Sequence, residues 1–363
     1  MQKIKAAVCR QFGAPLVIEE VNLRDPGVGE VQVTLDACAI CHSDISYADG
    51  GWGGQLPAVY GHEAAGRVTG VGAGSKSYGV GDHVIVTLLR SCGACGSCVS
   101  GDPAYCFSQD TSAGSPITAA SGEDVGQAMF CGAFAEKVTV HASQLAKIPA
   151  DMPKDAASLL SCGVITGLGA AVNTAAVRPG ETVVVIGAGG VGLNAIQGAR
   201  IAGAARIIAV DVNPDKLEMA REFGATDGVM ANQEKPWKEA AAKAGGRGAD
   251  AVLVTVGAIG AYDISTRYLA PGGRMVMVGM NHSGESSSFD PSVIASLGQN
   301  MIGTKMGDTV LPRDIPWMVD LYQQGRLKLD ELVSGTWRLD QINEAIADTK
   351  SGAAKRNVIV FGD

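Results

Sequence analysis

Four cysteines fall close together: Cys92-Gly-Ala-Cys95-Gly-Ser-Cys98, then Cys106 after seven further residues. Four thiolates at such spacing can surround one tetrahedral Zn²⁺ and leave no position open, which is a structural site. An iron–sulfur cluster is a rival, because C-x₂-C-x₂-C also opens the bacterial ferredoxin pattern. That pattern continues with Cys-Pro, and here the position is Asp102-Pro103. A nucleic-acid zinc ribbon is a second rival. Ser91–Phe107 carries one charge, Asp102, and no Lys or Arg, so phosphates would meet no cation there. Four free thiols in so short a run of Gly, Ala and Ser are the plain alternative, and their density argues against it.

A second set is spread wider. Cys41-His42-Ser43-Asp44 and Gly61-His62-Glu63 lie upstream of the cluster, and Cys162-Gly163 lies downstream. Cys41, His62 and Cys162 are the thiolate and imidazole donors zinc prefers, and three donors leave a fourth position for water or substrate. Singly, each is more often a small buried side chain or a satisfied histidine. Their number beside a dinucleotide loop favours the metal.

That loop is Gly187-Ala-Gly189-Gly190-Val191-Gly192, entered from the apolar run Val183–Ile186 and followed by the helical run Leu193–Ala202. One glycine permits the tight turn, the next lets backbone approach a pyrophosphate, and the third lets helix and strand pack closely. A lone G-x-G-x-x-G is weak. Here a strand precedes, a helix follows, and Asp211 ends the next strand nineteen residues after Gly192. An acid at that place accepts hydrogen bonds from ribose hydroxyls and repels a 2′-phosphate, which favours NAD over NADP. The bland reading is a strand–turn–helix with no cofactor.

The elements that must position these groups divide the chain. Its 363 residues predict two or three domains and ample length for a core. The first domain is expected over residues 1–163, of which 1–150 are β-rich and loop-rich, with strands expected at Val31–Leu35, Ala64–Val71 and His83–Leu88. Residues 164–303 alternate strands (Val183–Ile186, Arg206–Val210, Ala251–Val256, Arg274–Val278) with helices (Gly192–Ala202, Pro214–Phe223, Lys235–Ala244). Such alternation predicts a parallel doubly wound sheet. Residues 304–363 return to mixed elements and end on a strand at Val358–Phe361.

Composition narrows the partners. Hydrophobic residues at 46% and charged residues at 18% exclude a disordered chain. A net charge of −8 argues against nucleic acid or a polybasic membrane contact. The N-terminal apolar stretch ends at Arg10, too short for a signal core. Two long uncharged stretches, Ala156–Val177 and Thr182–Ala199, are rich in Gly, Ala, Ser, Thr and Asn and read as buried elements. A soluble cytoplasmic protein is expected, where thiols stay reduced and clustered cysteines suggest metal. Of nine cysteines, Cys9, Cys38 and Cys131 fall outside both sets and read as small buried hydrophobes. Glycine, 49 residues, is about twice the usual share; the loop and the turns of the cysteine lobe absorb only part.

The run Gly61-His62-Glu63-Ala64-Ala65-Gly66, the four-cysteine lobe, Cys162-Gly163 and the Gly187–Gly192 loop come in the order of a known family. The chain resembles, over essentially its whole length, the zinc-dependent medium-chain alcohol dehydrogenases, nearest the class III-like bacterial branch. The resemblance implies a GroES-like β-rich catalytic domain plus a doubly wound Rossmann domain, and a homodimer or homotetramer. It also implies roles. Cys41, His62 and Cys162 would bind catalytic zinc, with Glu63 behind the metal as an exchangeable ligand. Asp44 would hydrogen-bond His62 and fix its tautomer. Ser43 would pass on the alcohol proton. His42 would lie near the cofactor pyrophosphate, Thr166 and Val191 behind the nicotinamide, Lys216 at the adenosine ribose and Arg356 at the phosphates. Cys92, Cys95, Cys98 and Cys106 would hold structural zinc. Trp52, Leu88 and Met280 would line the substrate pocket.

The implied chemistry is interconversion of an alcohol with an aldehyde or ketone. Zinc acidifies the alcohol, Ser43 carries its proton off, and hydride passes to NAD. Some positions depart from the family. The relay histidine expected five residues after Cys41 is Ser46. The arginine of the glutathione-dependent formaldehyde enzymes is Asp110, and their two acidic residues before Gly61 are Gly51 and Gly53, so glutathione-linked formaldehyde activity is not expected. The alternatives are a zinc-free quinone or enoyl reductase of the same superfamily, and a non-catalytic NAD-binding protein.

Overall fold

The protein is described by a computed structural model covering residues 1–109, 114–352 and 354–362. Two compact units divide the chain, Met1–Cys162 with Val310–Asp363, and Gly163–Thr309. The second boundary lies six residues beyond the expected 303/304. Residues 304–309 stay with the second unit because the turn Met306–Asp308 packs on its helix Ile165–Gly169.

In the first unit, Gln2–Cys9, Val17–Leu23, Ile117–Ala119, Asp124–Gln127 and Ala58–Val59 close a barrel. A second sheet runs Leu145–Lys147, His83–Val86, Glu63–Val71, Glu30–Ala39, Arg356–Val360, Val333–Arg338, with Lys137–His141 pairing to Glu30–Ala39. The β-branched and small apolar side chains of these strands, such as Val31, Val33, Leu35, Val68 and Val84, form the core. Burying them supplies the drive that holds the sheets. The register matters for function. Ala39 pairs with Glu63 on one side and Val358 on the other. The end of strand 30–39 and the starts of strands 63–71 and 356–360 therefore meet at one end of the sheet.

The second unit is a six-stranded parallel sheet in the order Asp227–Met230, Arg206–Asp211, Thr182–Ile186, Ala249–Val254, Leu269–Met277, Asn300–Gly303. This is the doubly wound order, whose strand direction of build reverses next to Thr182–Ile186. Val184, Ile186, Ile208, Val210, Val252 and Val254 are buried on it. Helices Gly190–Ile201, Pro214–Phe223 and Pro236–Lys243 fall within two residues of expectation. Strands Asp227–Met230 and Asn300–Gly303 were not expected; each is short and carries glycine with few β-branched residues.

Among the described residues one helical stretch, Lys154–Thr174, is long and apolar enough to cross a membrane, and 89% of its most apolar window is buried. It spends its apolar surface inside the protein, as a core helix does. It is not uniformly α-helical: Leu160–Val164 and Ala170–Thr174 are π-helical turns, and Cys162 sits in the first.

Candidate active site

The end of the sheet just described brings together Cys41, His62, Glu63 and Arg356. Cys41 follows strand 30–39 and caps the helix His42–Ala48. His62 and Glu63 open strand 63–71. Arg356 opens strand 356–360, where the Asn357 carbonyl accepts from Ile40 N at 2.9 Å. Cys162 arrives on its π-turn, and its neighbour Ser161 donates to the Ala64 carbonyl at 3.0 Å. As a result the ligand atoms of Cys41, His62, Glu63 and Cys162 all lie within 4.8 Å of one another, and all four residues are buried.

Asp44 orders this group. Its Oδ1 accepts from His62 Nδ1 and from Gly61 N, each at 2.9 Å, and its Oδ2 accepts from Cys41 N at 3.1 Å. With Nδ1 committed to the carboxylate, His62 presents Nε2 to the thiols. Gly61 permits the turn: its φ is +90°, and a Cβ there would lie 2.6 Å from Phe134 N. His62 Nε2 is buried and makes no hydrogen bond. A buried orphan of this kind calls for a partner, and two sulfurs beside an imidazole nitrogen are the donors of zinc. The residues fit that ion. Without it the Cys162 hydrogen bond holds the Cys41 thiol well below the usual thiol range, and the same pairing pushes Cys162 well up.

Arg356, which the resemblance implies at the cofactor phosphates, is buried and ion-paired with Glu63. A carboxylate taken out of water requires a nearby cation. Burial nevertheless pushes the Glu63 carboxyl up to about 7, against the opposing pull of Arg356. Sequence reasoning had no signal for this pair, since the partners are far apart in the chain.

The four-cysteine lobe forms a second cluster. Sulfur–sulfur separations of 3.6, 3.9 and 4.0 Å link Cys92, Cys95, Cys98 and Cys106. Zn–S bonds of about 2.3 Å in a tetrahedron put sulfurs about 3.8 Å apart. Backbone N–H groups of Cys98 and Phe107 draw the Cys95 thiol down to about 6. A closed set of four thiolates is what this geometry can offer a metal. Asp110 lies outside the described residues.

In the second unit the glycine loop turns from strand 182–186 into helix 190–201. A Cβ on Gly192 would sit 1.8 Å from the Gly187 carbonyl, whereas a Cβ on Gly189 would meet nothing within 4 Å. Gly189 thus faces open space at a helix start that no side chain caps, a cradle for an anion. Asp211 ends its strand and holds the loop, accepting from Ala188 N at 2.8 Å and from Asn213 N at 3.0 Å. Lys216 lies on the next helix, half-buried. Gly167, which follows Thr166, packs closely on the first turn of helix 190–201, where a Cβ would lie 2.2 Å from the Val191 carbonyl.

Ser43 is half-buried on the helix that begins after Cys41, and His42 is its exposed first residue. Of the expected pocket residues, Trp52 and Leu88 are half-buried in the first unit; Trp52 meets Tyr47 edge to face at 5.1 Å, an aromatic contact not expected from sequence. Met280 belongs to the second unit and is 66% exposed there.

Comparison with known proteins matches two family models along the chain. Residues 27–150 match the family model of the alcohol dehydrogenase GroES-like domain, and residues 190–324 that of the zinc-binding dehydrogenase. The chain is 35% identical to the NDMA-dependent alcohol dehydrogenase of Amycolatopsis methanolica, over 99% of each chain. It is also 35% identical to the S-(hydroxymethyl)glutathione dehydrogenase of a Synechocystis strain, over 99% of this chain and all of that one. The crystal structure of benzyl alcohol dehydrogenase from Acinetobacter calcoaceticus superposes with a TM-score of 0.94 at 30% identity, covering all of both chains. Two family models in sequence along the chain, and relatives matched from end to end, leave one assignment: this chain belongs to the zinc-dependent medium-chain alcohol dehydrogenase family.

Proposed function

We propose that the protein is a zinc-dependent, NAD-linked dehydrogenase that interconverts alcohols with aldehydes or ketones. The observation that carries this is the buried Cys41–His62–Cys162 set, with Asp44 behind His62 and the orphaned Nε2 facing the thiols. Those three residues would hold the catalytic ion, with Glu63 as the exchangeable donor; Cys92, Cys95, Cys98 and Cys106 would hold a structural one. When bound, zinc supplies Lewis-acid charge that acidifies an alcohol or polarises a carbonyl, and the nicotinamide takes the hydride.

The chain's own residues do the rest. Asp44 keeps the His62 proton on Nδ1. Ser43 Oγ takes the alcohol proton. Ser46 stands where a relay histidine is expected, so Tyr47 on the same helix or water receives that proton next. The Gly187–Gly192 backbone and the start of helix 190–201 hold the pyrophosphate. Asp211 accepts from the adenosine ribose and repels a 2′-phosphate, and Lys216 flanks the same sugar. Trp52 and Leu88 suit an alcohol with an apolar tail. Gly51 and Gly53 offer glutathione no acidic partner, which argues against the activity for which the Synechocystis relative is named. A second reading comes from the Amycolatopsis relative: an NDMA-dependent enzyme, in which turnover waits on that acceptor.

The test is a panel of alcohols with NAD, NADP, and NAD plus NDMA, with S-(hydroxymethyl)glutathione alongside. Reduced nicotinamide formed from apolar primary or secondary alcohols with NAD alone supports the first reading. Turnover only with NDMA supports the second. Turnover of the glutathione adduct comparable with simple alcohols overturns its exclusion.

A further inference from the structure

Met306, Gly307 and Asp308 form one left-handed turn, with φ of 54°, 66° and 49°. L-residues enter that region singly, and glycine alone does so without cost. Two of the three here are not glycine. Such strain persists only where the surroundings hold it, and it gathers at ligand sites.

A polar clamp holds this turn. The Thr174 hydroxyl donates to Asp308 Oδ2 at 2.6 Å. The Thr304 hydroxyl lies 3.0 Å from Asp308 Oδ1 and 2.7 Å from the Thr174 oxygen, closing a triangle. Asn173 Nδ2 donates to the Gly307 carbonyl at 3.0 Å. Held this way, Gly307 packs where a Cβ would lie 2.2 Å from the Ile165 carbonyl, and a Cβ on Gly169 would lie 2.4 Å from the Gly307 carbonyl. Met306 is buried beside them, and the Thr166 hydroxyl donates to its sulfur at 3.6 Å. One residue further, a Cβ on Gly167 would lie 2.2 Å from the carbonyl of Val191, in the first turn of helix 190–201. The strained turn, Thr166 and the start of the anion-binding helix form one line of close contacts, all within the second unit.

We propose that Asp308 is a positioning residue for the dinucleotide: through Thr174 and Thr304 it fixes the left-handed turn that seats Met306 against Thr166 and sets that residue beside the glycine loop. This rests on the reading of Thr166 and residues 187–192 as cofactor-facing. Asp308 Oδ1 also accepts from Lys305 N at 3.4 Å, so the carboxylate ties both the entry to the turn and the helix end at Thr174.

The experiment is NADH binding by the zinc-loaded protein, followed by nicotinamide fluorescence, with kinetics in parallel. Asp308→Ala is expected to weaken NADH binding about tenfold and to raise the KM for NAD by a similar factor. The KM for the alcohol should stay within twofold. Asp308→Asn keeps a carbonyl acceptor and tolerates the left-handed backbone, and should recover to within threefold of wild type. Asp308→Gly relieves the strain but loses the clamp, and should behave like the alanine variant. Should Asp308→Ala not fold, Thr174→Val removes one arm of the clamp and should weaken NADH binding about threefold. NADH binding within twofold of wild type in a folded Asp308→Ala or Thr174→Val protein overturns the proposal, as does an equal rise in both KM values. Failure of the wild-type protein itself to bind NADH would instead overturn the cofactor reading on which it rests.

Discussion

Asp44 and His62 share one buried hydrogen bond, Oδ1 to Nδ1 at 2.9 Å, and through it the carboxylate decides which imidazole nitrogen faces Cys41 and Cys162. The same carboxylate ties the backbone of Gly61 and Cys41. Asp44→Asn offers an amide N–H where an acceptor is needed, so one of these bonds is lost. Partners of ligating histidines are typically worth 10–100-fold in metal affinity or activity. Zinc affinity, read by competition with a chelator, is expected to fall by about that factor. Unchanged zinc affinity and kcat would show that Asp44 is only a helix-start residue.

The Glu63–Arg356 pair is fully enclosed, so removing one partner leaves an uncompensated charge. Arg356→Met is expected to destabilise the fold by about 3–5 kcal/mol. The double variant Glu63→Gln, Arg356→Met should recover much of that loss. Denaturant unfolding of the three proteins measures it; additive losses would mean that the two side chains act independently.

The glycine loop separates folding from binding. Gly189→Ala adds a methyl group to open space at a backbone conformation alanine adopts. Its melting temperature without cofactor should match wild type, and its NADH affinity should drop about tenfold or more, because the methyl enters the anion's place. Gly192→Ala meets the Gly187 carbonyl and should lower both. Equal NADH affinity for Gly189→Ala and wild type would remove the pyrophosphate from this loop.

The proposed preference for NAD rests on Asp211. Asp211→Asn removes the charge that repels a 2′-phosphate and retains an acceptor for Ala188 N. The ratio of NADP to NAD efficiency should rise about tenfold, roughly 1.4 kcal/mol of discrimination. A ratio that does not move would assign Asp211 to the loop alone.

Much of this was legible in the sequence where chemistry is local. The cysteine lobe, the strand–loop–helix around Gly187 and the helix Pro214–Phe223 follow from spacing, period and capping within a few residues. The metal set was legible as residue types and by family resemblance, but its closeness depends on register between strands 30–39, 63–71 and 356–360, which no local pattern encodes. The Glu63–Arg356 pair was invisible for that reason. The left-handed turn at 306–308 was invisible because only one of its residues is glycine, and its clamp joins positions 174 and 308. Strand 227–230 was missed because Asp227 and Gly228 mask a strand that the sheet, not propensity, creates.

The metal-centred reading is tested most directly by Cys41→Ser, assayed for NADH formation from an alcohol that wild type oxidises and, on the same sample, for NADH binding. Loss of the buried thiolate should abolish turnover, remove one of two zinc ions per chain and leave NADH affinity within about twofold, since the cofactor loop belongs to the other unit. Turnover that survives in a Cys41→Ser protein lacking that zinc would contradict it.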